Sequence, residues 1–119
     1  MKNIEFTVFA ETCPSRKVLE IISNKWTILI IQKISQRPFR FGELRKEIGG
    51  ISKKVLTESL RSLERNGFLL REEFDVIPLK VEYSITTLGF DLNKIFAQIT
   101  KWSEDHITQI LEAQKNYLK

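Results

Sequence analysis

The chain has 119 residues and a formal net charge of +4 at pH 7, with 42% hydrophobic and 29% charged residues. This length and composition are typical of one globular domain with a single modest core. No apolar run approaches the roughly 20 residues that cross a bilayer, and the first twelve residues lack the apolar block and cleavage site of a signal peptide. One cysteine and one histidine exclude an internal disulfide and argue against a zinc site. We therefore expect a cytoplasmic protein without a membrane partner, a metal or a cofactor.

The first half of the chain predicts two helices over 13–36. Residues 1–12 alternate only weakly and are interpreted as a short strand or an arm. Cys13-Pro14 then starts a helix, because proline is favoured at the first helical position and Cys13 falls near the N-cap. Lys25 to Gln36 is apolar nearly all round, which predicts the central buried helix.

Residues 40–67 predict two further helices joined by a tight turn. Phe41, Leu44 and Ile48 recur at the spacing of one helical face, and Gly49-Gly50 then interrupts the helix. Ser52 is the predicted N-cap of the second helix, and Asn66-Gly67 ends it. The outward face of this second helix carries polar and basic residues: Ser52, Lys53, Lys54, Thr57, Arg61 and Arg65. The length and turn chemistry predict a helix-turn-helix.

The excess charge of the protein lies on the helix-turn-helix. Between Arg40 and Arg71 there are eight basic residues and four acidic ones, whereas the other eleven basic and eleven acidic residues cancel. A cationic face restricted to one helix and its approaches favours phosphate binding driven by counterion release. The alternative is an ordinary solvated helix face.

After Gly67 the apolar period changes from 3.6 to 2, which predicts a strand over 68–74 and a second over 81–86. The loop between them, Asp75 to Lys80, contains one proline and has a basic tip. A helix-turn-helix followed directly by a hairpin is a winged helix. We expect this wing to lie on the phosphate backbone or in the minor groove, with Lys80 as its contact.

The last predicted helix covers 87–118 and is capped by Thr86 or Thr87. Its apolar and semi-apolar residues follow a nearly heptad spacing: Leu88, Leu92, Ile95, Ile99, Trp102, His106, Ile110, Ala113 and Tyr117. A domain of this size does not cover so long a seam, so we expect a second copy to pack against it. The alternative is a helix that wraps its own core. A two-fold dimer would present two recognition helices to successive major grooves, roughly 34 Å apart.

In order and spacing, these segments resemble the HxlR-type, MarR-like family of bacterial winged-helix transcriptional regulators. The resemblance covers about 13–102 and rests on these motifs: Cys13-Pro14, Lys25-Trp26-Thr27, Arg40-Phe41-Gly42-Glu43-Leu44, Gly50-Ile51-Ser52, Leu56-Thr57, Leu60, Leu63-Glu64, Gly67, Pro78, Val81-Glu82-Tyr83-Ser84 and Thr86-Thr87-Leu88-Gly89. Two features depart from the family. The wing reads Pro-Leu-Lys where a second proline and an arginine are common, and the family gives residues 1–12 no role.

The resemblance implies a fold that is mainly α with a small β-hairpin, forming one domain over 1–119 with dimerisation helices at both ends. It further implies a homodimer on a pseudo-palindromic operator, most often a repressor of an adjacent gene. Base reading would fall on Ser52, Lys53, Lys54, Thr57 and Arg61.

From chemistry alone, the basic side chains of this face suit either guanine edges or phosphates. Arg61 is the stronger candidate for base reading, since its fork fits guanine in bidentate geometry. Thr57 suits a thymine methyl group or a phosphate. Arg40 and Arg45 are expected to contact only the backbone, or nothing.

Cys13 has two interpretations. One is a small apolar group buried between subunits. The other is a redox or electrophile sensor, since a helix N-terminus and the nearby Arg16 and Lys17 favour the thiolate. The resemblance supports the second, because several members of the family sense quinones or oxidants through a cysteine at this place.

Other function classes fit the sequence less well. There is no glycine-rich phosphate loop, acid–histidine pair or nucleophile elbow, so we expect no enzyme. A one-cysteine peroxidase would need a Thr-x-x-Cys run, which is absent before Cys13. A winged-helix protein-interaction module predicts an acidic or apolar recognition face, whereas this face is basic. A regulator that responds to a non-covalent ligand held between Trp26 and Trp102 stays open.

Overall fold

The computed structural model describes residues 7–117 and contains five helices and one antiparallel hairpin. In chain order the elements are α1 (Pro14–Ile22), α2 (Lys25–Ile34), α3 (Phe41–Glu47), α4 (Lys53–Arg65), β1 (Leu69–Phe74), β2 (Lys80–Ile85) and α5 (Thr87–Tyr117). This confirms a mainly helical fold with a small hairpin. The predicted N-terminal strand or arm lies outside the described residues up to residue 6, and 7–12 form turns instead of a strand. Residue 118 of the predicted last helix also lies outside them.

The first two helices begin where the sequence predicts. Cys13 is the N-cap of α1, with Pro14 in its first turn. The side chain of Asn24 caps α2 by accepting a hydrogen bond of 2.8 Å from the Trp26 amide. Helix α2 ends at Ile34, two residues before the predicted end, and packs against the other four helices and β2. It is central but not buried all round, because Leu29 is 38% exposed.

Local turn chemistry sets the angle between α3 and α4. Gly50 has φ +84°, a left-handed conformation in which a side chain is strained. The Ser52 hydroxyl then accepts a 3.1 Å hydrogen bond from the Val55 amide and caps α4. Helix α4 ends before Gly67, which has φ +83°. The helices bury their apolar faces against α2 in one core: Ile30, Ile31, Ile34, Leu44, Ile48, Leu56, Leu60 and Leu63. The predicted helix-turn-helix is thereby confirmed.

The hairpin pairs Leu69 with Ile85, Arg71 with Tyr83, and Phe74 with Lys80. The backbone of Tyr83 also exchanges two hydrogen bonds, of 2.8 and 3.0 Å, with that of Phe39 between α2 and α3. This attachment holds the wing beside the helix-turn-helix. The prediction that Lys80 lies in the loop is wrong, because Lys80 is the first residue of β2 and the loop spans only 75–79.

Helix α5 starts with a side-chain cap, since the Thr86 hydroxyl accepts a 3.0 Å hydrogen bond from the Gly89 amide. Its buried residues, Gly89, Leu92 and Phe96, all belong to the first third of the helix. Most of the predicted heptad seam is exposed in the single chain: Leu88, Ile95, Ile99, Trp102, Ile110 and Tyr117. Among residues 7–117, no helix combines the length and the apolar character that crossing a membrane requires.

Candidate nucleic-acid interface

The recognition face is the solvent side of α4, and the packing of the opposite side creates it. Because Leu56, Leu60 and Leu63 are buried, the basic positions of the same helix point outward. Lys53, Lys54 and Arg61 are exposed, whereas Thr57 is half-buried. The cap of α4 is already made by Ser52, whose O–H remains free to donate to a ligand.

The basic residues of this face and of neighbouring α3 are not neutralised by acidic residues of the part of the chain that the structure describes. Seven basic residues of the helix-turn-helix form no ion pair with any acidic residue of 7–117: Arg40, Arg45, Lys46, Lys53, Lys54, Arg61 and Arg65. The pairs that do form involve basic residues outside this set, such as Lys33 with Glu47 at 3.8 Å. The face therefore presents unpaired cations to an anionic partner, as a phosphate backbone requires.

Glu43 stabilises the start of α3. The Arg40 amide, not its side chain, donates a 2.8 Å hydrogen bond to Glu43. The Glu43 carboxylate also lies 3.5 Å from Arg37. The hydrogen bond from Arg40 and the charge of Arg37 lower the pKa of Glu43 against a rise from burial. Glu43 thus stays ionised at the helix N-terminus, where a negative charge is favourable.

The two faces of the wing differ in what they offer to DNA. Side chains alternate along a strand, so Leu69, Arg71 and Glu73 share one face and Leu70, Glu72 and Phe74 share the other. Leu69 is buried and Leu70 is 59% exposed, which identifies the first of these as the inner face.

Lys80, the predicted wing contact, lies on the outer face. Its cross-strand partner is Phe74, over whose ring its ammonium sits at 4.9 Å, and it pairs with Glu82 at 3.3 Å. The structure therefore separates Lys80 from the basic residues of α4. The loop at the tip carries Asp75 and the exposed apolar residues Val76, Ile77 and Leu79, and no cation.

One basic residue that sequence reasoning left out, Arg71, lies on the inner face of β1. It lines a cleft of about 320 Å³ between α4 and the wing, whose walls are Phe41, Thr57, Arg61, Glu64, Arg71 and Tyr83. The pairs Leu69-Leu70 and Glu72-Glu73 blur the alternation of β1, so the sequence does not say which face Arg71 takes. The register against the cleanly alternating β2, with Arg71 opposite Tyr83, is the signal that resolves it.

Cys13 is 8% exposed at the N-cap of α1. Burial raises the pKa of the thiol, but hydrogen bonds from the amide and hydroxyl of Ser15 and from the amides of Thr7 and Arg16 outweigh it, so the pKa is lowered. The cause is hydrogen bonding and not the side-chain charges of Arg16 and Lys17 that the sequence suggested. The site therefore lowers the pKa of the thiol below its ordinary value while burying the side chain.

The two tryptophans serve different parts of the molecule. Trp26 borders a cavity between α1, α2 and α4, and Trp102 is not part of its wall. Trp102 lies on the exposed seam of α5 and stacks on His106 with ring centroids 4.3 Å apart. Within the part of the chain that the structure describes, no three histidine, cysteine or acidic side chains cluster as metal ligands would.

Comparison with known proteins agrees with this geometry. The model of the HxlR-like helix-turn-helix family matches residues 21–111. The HTH-type transcriptional regulator YtfH of Escherichia coli K12 is 41% identical over 107 residues, covering 90% of this chain and 85% of YtfH. The solved structure of the transcriptional regulator YtfH from Salmonella typhimurium has a TM-score of 0.87 at 40% identity, covering 93% of this chain and 99% of that one. The structure of the redox regulator HypR in its oxidised form has a TM-score of 0.72 at 35% identity. The match covers 78% of this chain and 96% of the HypR chain.

Proposed function

Since the chain belongs to the HxlR-like helix-turn-helix family of transcriptional regulators, we propose that it acts in the cytoplasm as a homodimeric repressor on a pseudo-palindromic operator. The observation that carries this proposal is the basic surface of the helix-turn-helix, with four cations on α4 and three at α3 that no acid of residues 7–117 neutralises. Lys53, Lys54 and Thr57 in the first turns of α4 enter the major groove, and Arg40 and Ser52 contact the adjacent backbone.

The exposed seam of α5 supports the dimer. A row of large apolar side chains on a soluble chain is costly in water, and a second copy covers it at the lowest structural cost through a two-fold axis. Ile95, Ile99 and Trp102 are exposed on this seam, and in the proposed dimer they would pack between the α5 helices of the two copies. The dimer then presents two α4 helices to one side of the duplex.

The proposal is tested by binding to the DNA upstream of the protein's own gene and its neighbours, at 50 and 200 mM salt. We expect selective binding that weakens steeply with salt, and its loss in the double variant Lys53→Ala/Lys54→Ala. Lys94→Ala/Lys101→Ala removes two charges from α5 instead and is the matched control. Binding that ignores sequence, or that survives the α4 double variant unchanged, would overturn the proposal.

A second part of the proposal is that Cys13 makes the repressor responsive to oxidants or electrophiles. It rests on the lowered thiol pKa, and HypR, a similar protein, is described as a redox regulator and has been solved in both oxidised and reduced forms. An electrophile would alkylate the thiolate. An oxidant would accept two electrons as the Cys13 thiolates of two subunits join in a disulfide.

The thiol response is tested by adding diamide or benzoquinone to the DNA-binding assay. We expect release of the operator by the wild type and none by Cys13→Ser, with release by diamide reversed by dithiothreitol. Equal release from both proteins would rule out Cys13 as the sensor, and no release from either would rule out the response.

A further inference from the structure

We propose that the cleft between α4 and the wing is a seat for one phosphate of the DNA backbone, held by Arg61, Arg71 and the Tyr83 hydroxyl. This inference rests on the proposed function and assigns Arg61 to a phosphate and not to a base edge. The cleft has a volume of about 320 Å³ and is bordered by both elements. A phosphate bound in the cleft would contact the wing and the recognition helix at the same time.

The sheet register places the two wing residues of the cleft side by side. Arg71 and Tyr83 are directly opposite each other in the hairpin, so their side chains lie on the same face. Leu69, which shares that face, is buried in the core. The backbone bonds between Tyr83 and Phe39 prevent this part of the hairpin from moving away from the helices.

The neighbours of Arg71 orient its guanidinium group but do not occupy all of its N–H donors. It donates a 2.7 Å hydrogen bond to Glu73, and hydrogen bonding to Glu73 and then Tyr83 raises its pKa. An ion pair as exposed as this one contributes little stability. Since an arginine has five N–H donors, those bonded to neither Glu73 nor Tyr83 remain for an oxygen-rich anion.

The position of Arg61 along α4 favours a phosphate over a base. It lies eight residues after Lys53, about 12 Å further along the helix axis at 1.5 Å per residue, so it is beyond the first turns that enter the groove. It forms no ion pair with the acidic residues of 7–117. Arg61 from α4 and Arg71 from the wing both line the cleft.

Two acidic residues offset the positive charge of the cleft. Glu64 lines the cleft and Glu73 pairs with Arg71, so the net charge there is close to zero. Binding then depends on hydrogen bonds from the guanidinium groups and the phenol to the oxygens of a phosphodiester. The Glu64 carboxylate opposes the phosphate, so its removal should strengthen binding.

The experiment measures the affinity for an operator duplex and a scrambled duplex across a salt series. We expect Arg61→Ala and Arg71→Ala each to weaken both duplexes equally, by about tenfold, and to reduce the slope of log K against log salt by about 0.9. Tyr83→Phe should weaken both by about two- to tenfold without changing the slope, because it removes a neutral donor.

Three further variants separate the effect of charge from that of geometry. Glu64→Gln should tighten binding to both duplexes, whereas Glu58→Gln, on a side of α4 that lines a different cavity, should change it less. Arg71→Lys keeps the charge but loses the fork, so it should keep the slope and still bind more weakly. It also guards against misfolding of Arg71→Ala, and urea midpoints check every variant.

Two outcomes would overturn the inference. In one, Arg61→Ala relaxes the preference at a single base pair and leaves the scrambled duplex unaffected, so Arg61 reads a base. In the other, Arg71→Ala leaves both affinity and slope unchanged. A failure of the proposed function looks different, because the wild type itself would then show no operator selectivity.

Discussion

Ser52 combines two roles at the start of α4. Its side chain accepts a hydrogen bond from the Val55 amide and so caps the helix, and its exposed position faces the proposed DNA. Both roles were expected from sequence, since an N-cap serine lies at the end of a helix that enters the groove. The first role is observed and the second stays a prediction.

Ser52→Asp separates these roles. Aspartate is as good an N-cap as serine and is favoured by the helix dipole, so stability in urea should be kept. A negative charge facing phosphates should weaken operator binding by more than about tenfold. Ser52→Ala should instead lose about 1 kcal/mol of stability. Equal urea midpoints for the two variants, or full operator affinity in Ser52→Asp, would contradict this assignment.

Gly89 tests close packing at the first turn of α5. A Cβ there would overlap the Phe68 carbonyl oxygen and lie 2.7 Å from Ile85 Cδ1. We expect Gly89→Ala to destabilise the fold by about 1–3 kcal/mol, despite the better helix propensity of alanine. Gly42→Ala in α3 is the control, since no atom lies within 4 Å of its Cβ, and it should stabilise by about 0.5–1 kcal/mol. Urea denaturation measures both, and a stabilised Gly89→Ala would contradict the packing.

At the scale of elements, the N-terminus of α3 should make stability depend on pH. Because the pKa of Glu43 is lowered from its ordinary value of 4.5, the unfolded state binds its proton first as pH falls. The stabilisation is therefore fully present above that ordinary value and is lost as pH falls through the lowered pKa. Glu43→Gln should be less stable than wild type at pH 7, and the two urea midpoints should converge towards pH 3. A difference that is independent of pH would contradict this role of the charge.

For the wing, the sequence predicted the bounds of the two strands but not which face of the first strand is buried. Both strands lie within one residue of their predicted starts and ends, because the turn residues that bound them are local signals. The sequence did not predict which face of β1 is buried, since Leu69 and Leu70 are the same residue type and yet only Leu69 is buried. The prediction placed Lys80 in the loop and the structure places it in β2, because its cross-strand pairing with Phe74 is not a local property.

At the scale of the whole molecule, the exposed seam of α5 predicts the oligomeric state. Ile99→Asp places a charge in the middle of the seam and should convert the dimer to a single chain of 14.0 kDa by sedimentation equilibrium. Its helical circular dichroism should persist, because Ile99 is exposed in the single chain. Thr108→Asp adds the same charge to the opposite face of α5 and should remain dimeric. A dimeric Ile99→Asp, or a monomeric wild type, would contradict the assignment.

The sequence by itself determined the helix-turn-helix, its caps and its charged face. The features responsible act within a few residues of one another, so the sequence predicts their effect. They are the cap that Ser52 forms with the Val55 amide, the turn at Gly50, and the helical spacing of Leu56, Leu60 and Leu63. The concentration of basic residues on the helix-turn-helix is likewise a matter of composition and spacing.

Only the tertiary structure decided how the wing meets the recognition helix and what α5 leaves exposed. The cleft exists because β1 and β2 pair in one register, which brings Arg71 opposite Tyr83 and both beside Arg61. The open seam of α5 exists because its first third alone reaches the core. Both outcomes depend on contacts between residues far apart in sequence, and the periodicity of a single element does not encode them.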